Sequence, residues 1–262
     1  MDLKLTDARA VVTGSTKGIG HAIVVALARE GARVVLNGRT EASVATALAE
    51  VRAAVPGAAV EGFAGDLSTA EAAQALVAQW PEVDVLVNNL GIFEPKAFEE
   101  IPDDDWRRFF DVNVLSGVRL ARAYLPGMKA RDRGRIVFIS SESGVQIPVE
   151  MVHYGMTKTA QLAVSRGIAE GCAGTGVTCN AVLPGPTKSA GVDEFVAQIG
   201  GGQPFEAFEK TFFEKIRPSS LLKRFATTEE VANLVAYVCS PLASATNGAA
   251  LRVDGGVIRA AF

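Results

Sequence analysis

The strongest constraint on the fold of this chain is an alternation of short apolar runs with longer alanine-rich runs. The short runs, such as 10–12 and 83–87, are rich in β-branched residues and apolar throughout, which is typical of strands buried on both faces. The longer runs have the apolar spacing of amphipathic helices. Strands that alternate with helices require right-handed crossovers, so the pattern predicts an α/β fold with a mostly parallel sheet.

The same pattern predicts the bounds of the elements. Thr227-Thr228-Glu229-Glu230 has the form of a capping box and predicts that a further helix begins there. We find no repeat and no interdomain linker, and therefore expect a single doubly wound Rossmann-type domain, 1–262, with about seven strands and helices on both faces. The predicted strands are 10–12, 33–36, 83–87, 135–139, 177–183 and 250–253, and the predicted helices are 19–30, 41–55, 69–79, 106–129 and 152–172.

Composition excludes several classes of function. A net charge of −3 provides no basic field for nucleic acid. No apolar stretch approaches the roughly 20 residues of a membrane span, and the N-terminus is too polar for a signal peptide. The three cysteines form no Cys-x-x-Cys pair and only two histidines accompany them, so we expect no metal site and a reducing, cytoplasmic location.

A glycine-rich turn separates the first predicted strand from the first predicted helix. It runs from Thr13 to Gly20, with glycines at 14, 18 and 20. Missing side chains let the backbone approach a pyrophosphate, and the helix N-terminus offers free N–H groups and a partial positive charge. Such a turn by itself is equally consistent with a purely structural role, but its place within a strand–helix–strand unit favours dinucleotide binding.

The end of the second strand indicates which dinucleotide is bound. NAD-binding folds carry an acidic residue there, whereas this chain has Arg39, whose guanidinium suits a 2′-phosphate. Lys17 offers a second cation, and we interpret Glu41 as a first-turn residue of the next helix. The sequence therefore favours NADP(H) over NAD(H), while a solvated surface charge is the alternative for Arg39.

Tyr154 and Lys158 are four residues apart and share one face of a predicted helix. An ammonium stabilises a phenolate by about 4 kcal/mol at ~4 Å and an effective dielectric constant of ~20. As an upper bound, this attraction would bring the pKa of the tyrosine from ~10 towards neutrality, where it exchanges protons readily. Ser141 lies upstream in a serine-rich turn.

A set of short motifs follows the glycine turn along the chain. They are Asp66-Leu67, Asn88-Asn89-Leu90-Gly91, Asn113 with Ser141, Tyr154 and Lys158, Pro184-Gly185-Pro186-Thr187, and Asp254-Gly255-Gly256. Together with the turn 13–20 they resemble the short-chain dehydrogenase/reductase family, 3-oxoacyl-thioester reductases in particular, over nearly the whole chain, with Asn113, Ser141, Tyr154 and Lys158 matching its catalytic tetrad. Leu90 departs from the family pattern, which usually has alanine there, and is expected to narrow or reshape the site.

The resemblance implies hydride transfer between NADP(H) and a carbonyl or secondary alcohol. It makes Tyr154 the proton donor, Ser141 a hydrogen-bonding partner of the substrate oxygen, and Lys158 the residue that holds the nicotinamide ribose and lowers the tyrosine pKa. Asn113 would position a water that links Lys158 to solvent. The cofactor-binding residues would be Gly14, Ser15, Thr16, Lys17, Gly18, Ile19, Gly20, Asn37, Arg39, Thr40, Asp66, Leu67, Asn89, Leu90, Gly91, Tyr154, Lys158, Pro184, Gly185 and Thr187.

The substrate is less well specified. Residues 184–218 interrupt the strand–helix pattern and are expected to form a partly helical flap over the substrate. Glu142 is expected either to bind a polar or cationic substrate group or to be solvated, and His153 either to contact substrate or to lie on the helix surface. The aromatic residues of the flap, at 205, 208, 212 and 213, are more consistent with flap core or subunit contacts than with an apolar pocket. The predicted substrate residues are Ser141, Ser143, Gln146 and Tyr154.

Other functions are less consistent with these residues. A non-catalytic NADP-binding regulatory protein on the same fold would be expected to lose the serine, tyrosine or lysine. Enoyl-thioester reductases of related type usually space tyrosine and lysine more widely, and sugar epimerases or dehydratases resemble larger relatives with a different glycine turn. The family resemblance also implies a homotetramer, with apolar helix faces and the C-terminal residues between subunits.

Overall fold

The computed structural model describes residues 1–189 and 204–261. Within them, seven strands form one sheet in the order β3-β2-β1-β4-β5-β6-β7, and every pair is parallel. This confirms the predicted fold class. The strands are β1 (Arg9–Val12), β2 (Arg33–Gly38), β3 (Val60–Ala64), β4 (Val85–Asn88), β5 (Gly134–Ile139), β6 (Val177–Pro184) and β7 (Ala250–Val253).

Helices connect the strands and cover both faces of the sheet. The capping box is confirmed, because the Thr227 hydroxyl accepts from the Glu230 N–H and the Glu230 carboxylate accepts from the Thr227 N–H. The α-helices are α1 (Gly18–Arg29), α2 (Glu41–Ala54), α3 (Ala70–Gln79), α4 (Asp103–Phe110), α5 (Ser116–Ala130), α6 (Val152–Glu170), α7 (Phe205–Thr211) and α8 (Thr228–Cys239).

The apolar strands pack on both faces because successive side chains of a strand point to opposite sides. In β1, Ala10 and Val12 belong to one hydrophobic cluster with α1 and α8, whereas Val11 belongs to the other, with α3 and α5. The all-apolar strand pattern is thereby explained. Among the helices described, none is both long enough and apolar enough for a membrane crossing.

Two elements differ from the sequence-based expectation. The strand β3 was not predicted, because only Val60 of its five residues is buried and the others are partly exposed at the edge of the sheet. The predicted helix 106–129 begins earlier, at Asp103, where three aspartates occupy the first turn and favour the helix N-terminus. It is also interrupted by one π-helical turn, Asp111–Leu115, which contains Asn113.

The predicted flap, 184–218, is described only in part. Residues 190–203 lie outside the described residues. The described part contains α7 and a second π-helical turn, Phe212–Ile216, in agreement with a partly helical segment.

Strand order reverses between β1 and β4, because the chain builds β2 and β3 on one side of β1 before it crosses to β4. Such a switch point leaves a crevice at the carboxyl ends of the strands, where ligands bind in open α/β sheets. The glycine turn after β1 and the segment Asn88–Gly91 after β4 meet at this point.

Candidate active site

The glycine turn is shaped by close packing against the loop that follows β4. Gly14 has a positive φ of 56°, and a Cβ there would lie 3.0 Å from the Cα of Leu90. A Cβ at Gly20 would lie 2.4 Å from Nδ2 of Asn89, whose amide donates to the carbonyls of Thr13 and Gly14. Only glycine is compatible with these approaches, so the turn holds the start of α1 against the crevice.

Asn37 ties the tip of β2 to the glycine turn. Its Oδ1 accepts from the Gly14 N–H at 3.0 Å, and its Nδ2 donates to the carbonyls of Phe63 and Gly65. The hydroxyl of Ser15, which is fully buried, accepts from the Asn37 N–H. Both residues are predicted to bind cofactor, and in this structure their side chains bond to backbone groups of the turn and of the neighbouring strands.

The residues after β2 present one exposed cation and no carboxylate at the strand tip. Arg39 is exposed, and Thr40 caps α2 by accepting from the Ser43 N–H. Glu41 is the first residue of α2, as its interpretation as a first-turn residue predicted. Asp66 lies after β3, where its carboxylate accepts from the N–H and hydroxyl of Ser68, and Leu67 is buried beside it.

A cavity of about 340 Å³ extends from the glycine turn past the ends of β4, β5 and β6. The predicted residues among its lining come from five separate parts of the chain. The predicted site residues that line it are Gly14, Lys17, Gly18, Ile19, Gly20, Asn89, Leu90, Gly91, Ser141, Ser143, Tyr154, Lys158, Pro184, Gly185 and Thr187.

Tyr154 and Lys158 lie one turn apart on α6 and face Ser141 at the end of β5. The Lys158 Nζ is 5.5 Å from the centroid of the Tyr154 ring and donates to the Ile139 carbonyl at 2.9 Å. The side chain of Ser141 lines the same cavity as Tyr154 and lowers the pKa of its phenol. The three residues predicted to carry the chemistry therefore meet at one wall of the cavity.

The pKa of Tyr154 does not follow the sequence-based expectation. Enclosure by the cavity walls raises the pKa of the phenol above 10, and the nearby Glu142 carboxylate raises it further. Ser141 and Arg217 oppose this without reversing it. Burial lowers the pKa of Lys158 to about 8, while Glu142 pulls it upwards. The expected lowering of the tyrosine pKa was wrong for this structure, because burial and the Glu142 carboxylate raise the pKa by more than Ser141 and Arg217 lower it.

Asn113 is buried behind this wall. Its Oδ1 accepts from the Ile92 N–H at 2.8 Å, and its Nδ2 donates to the Ile92 carbonyl and the Thr157 hydroxyl. A Cβ at Gly91 would lie 3.4 Å from Oδ1 of Asn113 and 3.5 Å from Nζ of Lys158. The π-helical turn thus holds the Asn113 side chain close to Lys158 and Gly91.

A buried ion-pair network lies beside Ser141 and was not predicted as such. Glu142 is 5 % exposed. Its Oε2 accepts a hydrogen bond from the Ser141 hydroxyl, and its Oε1 accepts one from Nε of Arg217 at 3.3 Å. Arg217 also donates to Oε1 of Glu150 at 3.1 Å. The sequence carries no periodic or motif signal for Arg217, since its partners lie 67 and 75 residues away along the chain.

Several residues near the site differ from their predicted places. Gln146, a predicted substrate residue, is exposed and does not line the cavity, because it follows the short turn that buries Ser141 to Gly144. His153 is fully buried against Phe109 rather than on the helix surface or at the substrate, and burial lowers its pKa.

The flap aromatics mainly form a core of their own. Phe208, Phe212 and Phe213 pack with Phe225, as the preferred interpretation predicted, and Phe225 itself was not singled out from the sequence. Phe212 and Phe225 also line the cavity.

Comparison with known proteins agrees with this geometry. Residues 14–258 match a family model described as enoyl-(acyl carrier protein) reductase. The chain is 47 % identical to the uncharacterized oxidoreductase YvaG of Bacillus subtilis, with full coverage of both chains. It is 33 % identical to the 3-oxoacyl-[acyl-carrier-protein] reductase FabG of Aquifex aeolicus, covering 98 % of this chain and 100 % of that one. The chain belongs to the short-chain dehydrogenase/reductase family.

A solved structure of this family gives a direct structural parallel. The L-sorbose reductase of Gluconobacter frateurii, complexed with NADPH and L-sorbose, superimposes with a TM-score of 0.89 at 30 % identity, over 99 % of this chain and 100 % of that one. The present chain is accordingly an oxidoreductase of the short-chain dehydrogenase/reductase family.

Leu90 is where this family member departs from the usual sequence. Its side chain packs against the glycine turn, with Cδ1 3.3 Å from the Cβ position of Gly14, and it lines the cavity. The volume that leucine adds relative to alanine therefore lies in the wall of the cavity that the glycine turn forms. This position is consistent with the expected reshaping of the site.

Proposed function

We propose that this protein transfers hydride between NADP(H) and a carbonyl or secondary alcohol, with Tyr154 as the general acid and base. The observation that carries the proposal is the meeting of Ser141, Tyr154 and Lys158 in one cavity with the glycine turn at the start of α1. A helix N-terminus beside a small-residue turn fits a pyrophosphate.

NADP(H), when bound, supplies hydride to the substrate carbon or accepts hydride from it. In the proposed mechanism the Tyr154 hydroxyl donates a proton to the carbonyl oxygen. Because its pKa lies above the ordinary value, the phenol is protonated at neutral pH, as a general acid requires. Ser141 would turn its hydroxyl proton from Glu142 to the same oxygen and stabilise the developing charge.

Lys158, in the wall of the cavity, and Asn113, buried behind it, support this step. Lys158, with a pKa of about 8, is mostly an ammonium at neutral pH and would hold the nicotinamide ribose. Asn113 is anchored on Ile92 and Thr157 and would order a water between Lys158 and solvent. The tyrosine proton would thereby be replenished without opening the cavity.

A Tyr154→Phe variant tests the proton donor. The variant removes the hydroxyl that donates the proton, so turnover should be abolished. The glycine turn does not contact this hydroxyl, so NADPH affinity should stay nearly unchanged. The measurement is kcat on a panel of ketones and aldehydes, with NADPH binding followed by fluorescence. Tyr237→Phe, at a half-exposed position on α8, is the matched control and should behave as the parent. Turnover in Tyr154→Phe within about tenfold of the parent would refute the assignment.

The proposed preference for NADP(H) rests on Arg39 and on the lack of a carboxylate at the tip of β2. It is supported by the NADPH present in the solved L-sorbose reductase and in the actinorhodin polyketide ketoreductase, which is 33 % identical with a TM-score of 0.85. A guanidinium pairs with a 2′-phosphate through charge and hydrogen bonds, and each charged hydrogen bond contributes about 1.5–3 kcal/mol.

Comparison of kcat/KM with NADPH and with NADH tests this preference. Arg39→Ala should lower kcat/KM for NADPH by about tenfold or more and leave that for NADH almost unchanged. Arg29→Ala is the control, since it removes an exposed guanidinium from the opposite end of α1. Equal use of both cofactors by the parent would reject the preference.

The assembly and location belong to the same proposal. We expect a homotetramer, as the family resemblance implies, and a cytoplasmic location. Cys172, Cys179 and Cys239 are buried free thiols, which is consistent with a reducing compartment. A non-catalytic NADP-binding role is the second candidate, and no observation of the site favours it.

A further inference from the structure

The ion-pair network beside Ser141 points to the class of substrate, on the premise that the proposed function is correct. Glu142 occupies the first position of a short turn directly after Ser141, and its carboxylate lines the cavity although only 5 % of the residue is exposed. A buried carboxylate next to the reacting position is costly unless its hydrogen-bonding capacity is used. The hydrogen bonds that the Glu142 carboxylate can still accept therefore indicate that the site receives a substrate group that donates hydrogen bonds.

The Glu142 carboxylate, next to Ser141, can accept hydrogen bonds from a substrate. A serine hydroxyl has one donor, and here it donates to Oε2 of Glu142 while its oxygen accepts from the Ser143 N–H at 3.1 Å. An ionised carboxylate accepts up to about four hydrogen bonds, and among the described residues Glu142 accepts only from Ser141 and Arg217. When this hydroxyl donates to a substrate oxygen instead, Oε2 of Glu142 loses that partner, and a hydroxyl on the adjacent substrate carbon takes its place.

The charges at this end of the cavity select against an anion. Arg217 is held between Glu142 and Glu150, so one guanidinium faces two carboxylates. The other cations that line the cavity within the described residues are Lys17, in the glycine turn, and Lys158, whose Nζ donates to the Ile139 carbonyl. A substrate carboxylate next to the reacting carbon would meet Glu142, and the guanidinium beside it is already shared with Glu150.

We propose that Glu142 makes the site specific for an uncharged substrate with a hydroxyl on the carbon next to the reacting one, an α-hydroxy ketone or the corresponding vicinal diol. The hydroxyl donates to Glu142 while the reacting oxygen lies at Tyr154 and Ser141. Phe212, Phe225 and Met151 line the neighbouring wall and accommodate an apolar remainder.

Three ketones that differ only in the group beside the carbonyl test the proposal. Hydroxyacetone carries a hydroxymethyl group, 2-butanone replaces the hydroxyl by a methyl group, and pyruvate has a carboxylate. With NADPH, kcat/KM of the parent should be at least about tenfold higher for hydroxyacetone than for 2-butanone, and lowest for pyruvate. Dissociation constants from ligand-observed NMR, which needs no turnover, should give the same ranking.

Glu142→Gln keeps the shape but removes the charge. It should reduce the preference for hydroxyacetone over 2-butanone by at least about fivefold and raise the relative rate with pyruvate. Glu99→Gln, which removes the same charge from an exposed position outside the cavity, should leave the ranking unchanged. If Glu142→Gln is unstable, Glu142→Asp replaces it: this variant keeps the charge but shortens the side chain, so the preference for hydroxyacetone should be weaker than in the parent. The ranking of the three ketones by the parent tests the proposal without any variant.

The outcomes separate the two proposals. If the parent reduces 2-butanone as well as hydroxyacetone, prefers pyruvate, or reduces only ketones outside this series, the substrate inference is overturned and the proposed function stands. If no ketone or aldehyde of a broad panel oxidises NADPH although NADPH binds, the proposed function itself fails.

Discussion

Lys158 shows most directly how burial and chemistry oppose each other at a single residue. The residue is 5 % exposed, its Nζ has the Ile139 carbonyl as acceptor, and burial lowers its pKa to about 8 although Glu142 favours the ammonium. Folding therefore costs free energy whenever the lysine is charged in the unfolded chain. The cost is the consequence of placing an ammonium where Tyr154 needs it.

This conflict predicts a pH dependence of stability. Between about pH 8 and the ordinary lysine pKa of about 10.4, the unfolded chain binds more protons than the folded one, so stability rises with pH. The slope attributable to Lys158 is at most about 1.4 kcal/mol per pH unit. Above about pH 10, Tyr154 acts in the opposite direction, because its raised pKa keeps it protonated in the folded state only.

Urea unfolding of the cofactor-free protein at pH 8 and pH 10 measures the effect. The parent should gain stability over this interval relative to Lys158→Met, in which the charge is absent at both pH values. Lys129→Met, on α5 and partly exposed, is the control and should follow the parent. Equal changes in the parent and in Lys158→Met would show that the lysine titrates normally.

At the scale of elements, the site depends on places where regular structure is interrupted. The π-helical turn at Asp111–Leu115 lies between α4 and α5, and it contains Asn113, which is anchored on Ile92 and Thr157. π-helical turns of this kind are frequent at functional sites. A second π-helical turn ends at Ile216, directly before Arg217. Both turns thus adjoin residues that the proposed mechanism or specificity uses.

The described end of the flap is held by its own aromatic core. Phe208, Phe212 and Phe213 pack around Phe225, and Phe212 lies with its ring centroid 5.9 Å from the Arg217 guanidinium. This cluster fixes the position from which Arg217 reaches Glu142. The substrate end of the cavity is therefore built by packing outside the strand–helix repeat.

At the scale of the whole molecule, one sheet serves two hydrophobic clusters. Leu27 of α1 belongs to the cluster on one face and Leu86 of β4 to the cluster on the other, and both are fully buried. Neighbouring residues of one strand, such as Val11 and Val12, contribute to different clusters. Loss of either cluster removes support from the same strands, so we propose that 1–262 unfolds as a single unit.

Leucine truncations on the two faces test this unity. Leu27→Ala and Leu86→Ala should each destabilise the protein by about 2–5 kcal/mol and shift one and the same unfolding transition. Leu242→Ala, at a position 46 % exposed, should have a much smaller effect. The measurement is denaturant unfolding followed by both circular dichroism and tryptophan fluorescence. Two separate transitions, each sensitive to one substitution, would contradict a single domain.

The sequence by itself determined the parallel sheet, the glycine turn and the pairing of Tyr154 with Lys158, because these depend on local periodicity and on spacing within one element. It did not indicate β3, whose edge position leaves it only half buried, nor the sign of the pKa change at Tyr154. Tertiary structure alone decided that Arg217 reaches Glu142 across 75 residues, and that burial at the cavity wall raises the pKa of Tyr154. Burial and long-range ion pairs arise only when distant segments pack, so no local pattern encodes them.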